Sequence, residues 1–305
     1  MFPVVELPND GGDILEPMGS KPKTWFKAAG LLFKEGRPNT GDDWSEKIAE
    51  QLFERLGVPH ALYELATWRG KRGVVSQTIV PPDGRLVPGN ELLAVVSTNY
   101  PRRPDGVTVF RTRLYTPRRV FALLHSPRIL LPMTWRTGWR PPEFVQSSAD
   151  LFAAYLMIDA WIANQDRHDE NWGIVVTPDR AVCLAPSFDH ASSLGSNERD
   201  AVRIERLTTR DKLRSVESYV LRAKSPFFAE SGVPLSTLET FQQYARIRPV
   251  AATGWLKKLA AIAPTDLRPL FDQVPKDRIS DTAIDFALRM LELNQQRLLQ
   301  EGFPT

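Results

Sequence analysis

A chain of 305 residues, 42% hydrophobic and 25% charged, has ample material for a core in one large domain or two lobes. Its 39 basic and 36 acidic side chains leave a formal charge of +3, too small an excess to argue by itself for nucleic-acid binding. A single cysteine, Cys183, excludes an internal disulfide and a cysteine-rich zinc site, and no run of about 18 apolar residues offers a membrane span.

The first residues, MFPVVELPND, lack a basic stretch ahead of an apolar core, so no signal peptide is expected and the chain reads as cytoplasmic. TWFKAAG and GLLFKEG are short apolar runs bounded by glycine and predict strands. Asp42 or Asp43 is placed to cap a helix running to about Leu56, with Ile48, Ala49, Leu52, Phe53 and Leu56 at helical spacing and Gly57 as its stop. HALYELATWRG and RGVVSQTIV predict a hairpin across RGKRG. From Pro81 the character changes. PPDGRLVPGN is turn-rich and reads as a linker, and the later segments are longer and helical. Residues 100–150 carry no recognisable motif. Leu151, Tyr155, Ile158 and Ile162 share one face of a helix over 151–163. WGIVVTPDRAVCLAPSFDH predicts a hairpin, with strands Trp172–Val176 and Ala181–Leu184 about the turn TPDR, and Cys183 within it as a small buried residue. Ser280 or Asp281 is placed to cap a helix over 280–300 with Ile284, Ala287, Leu288 and Leu291 as its apolar stripe.

Between the apolar run LFAAYLMIDAWIA and the hairpin stands NQDRHDEN, residues 164–171, with only polar side chains. The hairpin begins at this loop, and Asp189 lies just past its end. A hairpin brings its two ends together, so Asp166, Asn171 and Asp189 converge. Two carboxylates and an amide oxygen are hard ligands suited to Mg²⁺ rather than zinc, and such sparse sites complete their shell with water and nucleotide phosphates. Asp166 and Asn171 also stand in the D-x-x-x-x-N spacing of a kinase catalytic loop. There the Asp meets the attacking hydroxyl, the Asn holds a metal, and a later Asp holds metal against the phosphates. The alternative is a solvated turn followed by a helix-capping Asp.

NQDRHDEN followed by LAPSFDHASSLG resembles the HipA-like kinases and is similar to the loop of phosphatidylinositol kinases; VPKDRISDTAIDFALRMLELNQQRLL resembles the last helical region of the HipA-like family. The resemblance implies an α+β, bilobal protein-kinase-like fold, with a strand-rich N-lobe over 1–80 and a mostly helical C-lobe over 81–305. It implies ATP and Mg²⁺, with Asp166 as catalytic residue and Asn171 and Asp189 at the metal. Lys34 in LLFKEG is the implied phosphate-contacting lysine and Glu46 its partner, with Lys27 and Glu50 as rivals. EPMGSKPK resembles the phosphate-covering turn. In it, Gly19 would let the backbone approach phosphate and Ser20 would be autophosphorylated, Ser192 and Ser193 being alternatives. SQTIV is the implied hinge, with Gln77 to Ile79 meeting adenine. His168 is expected to handle charge or protons near the transferred phosphate, or to make a structural hydrogen bond. Arg167 and Asp169 are framework or surface. His190 replaces the Phe that follows this Asp in ordinary protein kinases, in keeping with an atypical kinase.

After Asp189, Arg199, Arg203, Arg206, Arg210, Lys212 and Arg214 form either a solvated face or a patch for a phosphate-rich or acidic partner. What the resemblance implies as activity is that of a serine/threonine protein kinase, the toxin of a toxin–antitoxin system. Its target would be a translation-linked protein, such as a translation factor or a tRNA-bound enzyme. An antitoxin would be encoded separately, since no DNA-binding helix-turn-helix is present. A small-molecule or lipid kinase shares the same loop, and a nucleotide-binding pseudokinase is the third class.

Overall fold

The computed structural model describes residues 1–10, 12, 14–15, 23–104, 107, 111–132 and 139–302. Strands β1 (Val4–Glu6), β2 (Ile14–Leu15), β3 (Lys23–Phe26) and β4 (Leu31–Glu35) precede helix α1 (Asp42–Leu56), and β5 (Tyr63–Trp68) and β6 (Lys71–Gln77) follow it. All six strands join one sheet in the order β1-β5-β6-β4-β3-β2, antiparallel except for the β1–β5 pair. Strand alternation decides what each face covers. Tyr63, Leu65 and Val74 meet Ile48, Ala49, Leu52, Phe53 and Leu56 of α1 in the main core. Phe26, Phe33, Ala66 and Val75 turn the other way into a smaller cluster closed by Trp68. Leu52 and Phe53 are fully buried, and each such side chain contributes roughly 1.5–3 kcal/mol.

Neither Asp42 nor Asp43 caps α1. The N-cap is Gly41, which has no side chain to offer. Asp42 instead accepts from Arg37 Nε at 2.9 Å, and Asp43 accepts from Arg278 Nη1 at 3.0 Å. Two carboxylates in the first turn still favour the helix through its dipole. Gly57 ends the helix as expected, in the left-handed region at φ 69°.

PPDGRLVPGN is not a linker. It supplies β7 (Arg85–Pro88), which pairs antiparallel with β8 (Gly173–Val176), and β8 pairs with β9 (Val182–Leu184), where Cys183 is buried. Proline ends β7 on the sheet edge, where a missing N–H costs little. Gly173 is demanded by this pairing, because a Cβ there would lie 2.4 Å from the Val87 carbonyl oxygen.

The remaining chain is mostly helical: α2 (Gly89–Val96), α3 (Pro117–Leu124), α4 (Ser148–Trp161), α5 (Asp200–Thr208), α6 (Val216–Leu221), α7 (Thr237–Ile247), α8 (Pro249–Ala260), α9 (Arg268–Phe271) and α10 (Asp281–Glu301), with one hairpin, β10 (Lys224–Phe228) and β11 (Pro234–Ser236), ahead of α7. α4 is buried along its whole length and packed by α7, α8 and α10, so its apolar residues are not confined to one stripe. α10 is capped by Ser280, whose Oγ accepts from Ala283 N at 3.0 Å; Asp281 pairs with Lys276. Among the described residues no helix is long and apolar enough to cross a membrane.

Candidate active site

The loop 164–171 leaves α4 through a tight turn. Ala163 takes φ 51°, and Asn164 folds back so that its Nδ2 donates to Asp159 Oδ1 at 2.8 Å. Asn164 Oδ1 then accepts from Asp166 N at 3.2 Å. Arg167 is wholly inside, not on the surface. Its Nε and Nη2 form a fork on Asp159 at 2.7 and 2.9 Å, Nη1 donates to Asn171 O at 2.8 Å, and Nη2 also donates to Ser187 Oγ at 2.9 Å. One guanidinium thus ties the base of the loop to α4 and to the exit of the β8–β9 hairpin. Burial opposes its charge, but the Asp159 carboxylate more than restores it and raises the Arg167 pKa.

Tyr100, Arg103 and Tyr115 buttress the loop from the other side. Tyr100 Oη donates to Asp169 Oδ2 at 2.5 Å, Arg103 pairs with Glu170 at 3.0 Å, and Tyr115 Oη donates to Arg167 O at 3.0 Å. Asp169 is therefore framework, its pKa pushed up by burial. No sequence signal marked these tyrosines, because a hydrogen bond across 69 or 52 residues leaves no local periodicity.

The carboxylate of Asp166 is 49% exposed, with His168 Nε2 at 3.8 Å. Its backbone carbonyl accepts from Asn171 Nδ2 at 2.7 Å, which leaves the Asn171 amide oxygen as an acceptor. His168 Nδ1 accepts from Glu170 N at 3.2 Å, so one ring nitrogen has a structural partner while the other faces Asp166.

A cleft of about 450 Å³ opens beside this loop. Trp25, Leu32 and the stretch Ser76–Val80 line it from the six-stranded sheet; Leu86, Pro88, His168, Asn171 and Phe188 line it opposite. Gln77 and Ile79 are both at its wall, and Ile79 lies beyond the last ladder pair, Leu31–Gln77. Lys23, Lys34, Tyr63 and Asp189 also line it.

Of the lysines lining the cleft, Lys34 is the buried one. Its Nζ lies 3.4 Å from Asp189 Oδ1, 3.9 Å from Glu46 Oε2 and 3.1 Å from Tyr63 Oη. Burial pulls the ammonium pKa down, but Asp189, Tyr63 and Glu46 together carry it well above the ordinary lysine value. Burial likewise pushes Glu46 up, and Lys34 and His190 outweigh it, so the carboxylate stays below its ordinary pKa and ionised. The rivals do other things. Lys27 is exposed in a short 3₁₀ turn, and Glu50 pairs with Lys47 at 3.0 Å.

Asp189 takes φ 63°, a left-handed conformation that few non-glycine residues adopt. Its side chain is only 17% exposed and is held from both sides, by Lys34 and by Lys23 at 3.2 Å. Two residues that sequence reasoning did not single out therefore belong here. Lys23 is the last residue of EPMGSKPK, and Tyr63 accepts from both Lys34 Nζ and Asp189 N. Gly19 and Ser20 lie outside the described residues. His190, next in the chain, is fully buried, stacks on Phe53 at 4.4 Å and donates its backbone N–H to Glu46 Oε1 at 2.6 Å. Of the basic run after Asp189, Arg203 is buried against Asp200 and the Gly195 carbonyl and so belongs to the framework.

No family profile matches the chain, and no curated protein matches it. Solved structures do. A proinflammatory kinase of Helicobacter pylori, CtkA, superposes with a TM-score of 0.74 at 17% identity over 98% of this chain and 96% of its own. HipA of a Shewanella oneidensis toxin–antitoxin system, solved with HipB and operator DNA, superposes with a TM-score of 0.55 at 13% identity over 96% of this chain and 67% of its own. The chain thus shares the bilobal, protein-kinase-like α+β fold of these two structures over nearly its whole length.

Proposed function

We propose that the protein is an ATP-dependent phosphotransferase, a HipA-like serine/threonine protein kinase whose nucleotide site is the 450 Å³ cleft. The observation that carries this reading is the cluster of Lys23, Lys34, Tyr63 and Asp189 at the wall of that cleft, backed by Glu46 and joined there by His168 and Asn171 of the polar loop. Two ammonium groups gathered at a cleft wall suit a polyanion. Residues 1–80 and 81–305 would be the two lobes; the six-stranded sheet draws only on strands from Val4 to Gln77, which supports that division.

Lys34 would contact α- and β-phosphates, kept in place by Glu46 and Tyr63. Adenine would lie against Leu32, Ile79 and Leu86, with the Gln77–Ile79 backbone as hinge. The donor set suits Mg²⁺: the Asp189 carboxylate and the Asn171 amide oxygen, left as an acceptor by the Nδ2 contact with Asp166 O, are hard oxygens. Among the described residues no group of three or more His, Cys, Asp or Glu gathers to hold a metal. Asn171 and Asp189 would hold the ion with phosphate oxygens, and it would neutralise charge developing on the transferred group. Asp166 would orient the acceptor hydroxyl and accept its proton, with His168 steadying the carboxylate. Likeness to HipA supports a toxin role, a separately encoded antitoxin and a translation-linked protein target.

Asp166→Asn tests the reading. It keeps shape and removes the charge that positions the hydroxyl. With radiolabelled ATP, Mg²⁺ and a cytoplasmic extract, labelling should fall about 10²- to 10⁴-fold while ATP binding persists. Parental labelling by a folded, ATP-binding variant would rule the mechanism out.

A further inference from the structure

Residues 101–140 hold nine arginines and one acidic residue, Asp105, leaving the rest of the chain with 30 basic and 35 acidic side chains (39 less nine, 36 less one). The whole positive excess of the protein is therefore concentrated in one stretch. We propose that Arg102, Arg111, Arg113 and Arg118 form a docking surface for an acidic segment of the protein substrate, beside the catalytic loop. The proposal rests on the kinase reading and names its substrate class.

Position comes first. Tyr100, Arg103 and Tyr115 clasp Asp169, Glu170 and the Arg167 carbonyl, three of the four residues following Asp166. Arg102 sits between two of these anchors, and Arg113 is two residues from the third. Lys224 N donates to Gln165 Oε1 at 3.2 Å, and Phe228 N to Tyr115 O at 2.9 Å, so the β10–β11 hairpin continues the same surface. The arginines thus flank the place where an acceptor hydroxyl would stand.

Pairing comes second. Arg102, Arg111, Arg113 and Arg118 are exposed, and among the described residues none has an ion pair or side-chain hydrogen bond. Arginines facing other parts of the molecule are often spent on internal partners, as Arg37, Arg72, Arg248, Arg278 and Arg289 are. α3 moreover opens with Arg118 and Arg119 and has no acidic residue in its first turn. Cations at the positive end of a helix weaken it. Arg119 offsets this by donating to Ser97 Oγ at 2.9 Å, whereas Arg118 has no such contact.

An acidic protein segment fits better than a nucleic acid. Nearby aromatic rings Tyr100 and Tyr115 are buried and hydrogen-bonded, so they present no stacking platform for bases. The rest of the chain is net acidic and would repel a long polyanion, whereas a short acidic segment meets only the arginines.

The test uses the full chain and a fluorescein-labelled serine peptide flanked by Asp and Glu. A lysine-flanked peptide and an RNA oligonucleotide of similar length serve as competitors. Anisotropy should show binding of the acidic peptide that weakens with salt. R111E/R113E should weaken it about tenfold or more, as should R102E/R118E, with Arg55→Glu as the control for net charge. In kinase assays the same variants should raise KM for the acidic peptide and leave kcat unchanged. Unaltered binding by both double variants, or tighter binding of RNA than of peptide, overturns the proposal. The two readings fail separately. Arginine-dependent peptide binding without phosphate transfer to any acceptor upholds the surface and sinks the kinase. Transfer indifferent to the arginines does the reverse.

Discussion

Lys34 shows what a single side chain does when three partners surround it. Glu46 and Asp189 both need its charge, and neither is exposed enough for water to replace it. Lys34→Ala should lower ATP turnover about 10²-fold or more, and Lys27→Ala should leave it nearly unchanged, in side-by-side kinetics. His190 belongs to the same cluster from behind. Ser187 Oγ accepts from Arg167 and shares a hydrogen bond with His190 Nε2 at 2.8 Å, while His190 Nδ1 lies 3.6 Å from Glu46 Oε1. Burial lowers the His190 pKa below 6.5, so on acidification the unfolded chain takes up this proton first. Its contribution to stability is complete above about pH 6.5 and is lost as pH falls below that, by at most about 1.4 kcal/mol per pH unit. Thermal unfolding between about pH 6.5 and 5 should show this slope in the parent and a flatter one in His190→Asn. Equal slopes would show that His190 does not titrate differently on folding.

At the scale of elements, β4 and β6 hold the lysine in place. Gly73 of β6 pairs with Glu35, and a Cβ there would lie 2.2 Å from the Lys34 carbonyl oxygen and 2.9 Å from the Phe33 ring. The obstacle is backbone, which cannot rotate away. Gly73→Ala should therefore part the strands, cost about 2–3 kcal/mol in urea denaturation and raise KM for ATP together with it. A stable variant with unchanged KM would show that β4 yields without moving Lys34. The elements easiest to read in the sequence were those with a strong period or a bounded run: α1, the β5–β6 hairpin, the β8–β9 hairpin and α10. β7 reads as a linker in the sequence because its partner is 85 residues away at Pro88–Gly173 and 91 away at Arg85–Val176. Turn residues dominate its local composition, and only pairing with β8 makes it a strand.

Across the whole molecule, the C-terminal region is pinned to the N-terminal sheet. Arg278 is buried and donates to Asp43 Oδ2 at 3.0 Å, to Thr67 Oγ1 at 2.8 Å and to the Ala66 carbonyl at 3.1 Å. Phe2 N donates to Gln273 O at 2.6 Å nearby. Removing one partner of a buried pair leaves the other charge uncompensated. Arg278→Met should cost about 3 kcal/mol, near the low end for such pairs, because Arg72 still reaches Asp43. The urea midpoint checks it, and adding Asp43→Leu should recover part of the loss. A midpoint unmoved by Arg278→Met would show that this contact does not hold the two regions together.

Sequence alone determined that the polar loop and the hairpin exit meet. His168, Asn171 and Asp189 line one cleft because short-range spacing and one hairpin bring them together, and a hairpin's ends meet whatever the rest of the chain does. Lys34 and Glu46 are marked in the sequence only through resemblance, since one Lys and one Glu carry no pattern; in the structure Lys27 is exposed where Lys34 is buried, and the equally buried Glu50 faces Lys47 where Glu46 faces Lys34. Tertiary structure alone decided the rest. It seated Tyr63 between Lys34 and Asp189, set Arg167 against Asp159 and Ser187, and laid Tyr100, Arg103 and Tyr115 against the loop. Those contacts join residues up to 126 positions apart through hydrogen bonds between single side chains. Such bonds depend on where folded elements place the partners, and no periodicity in the chain encodes that.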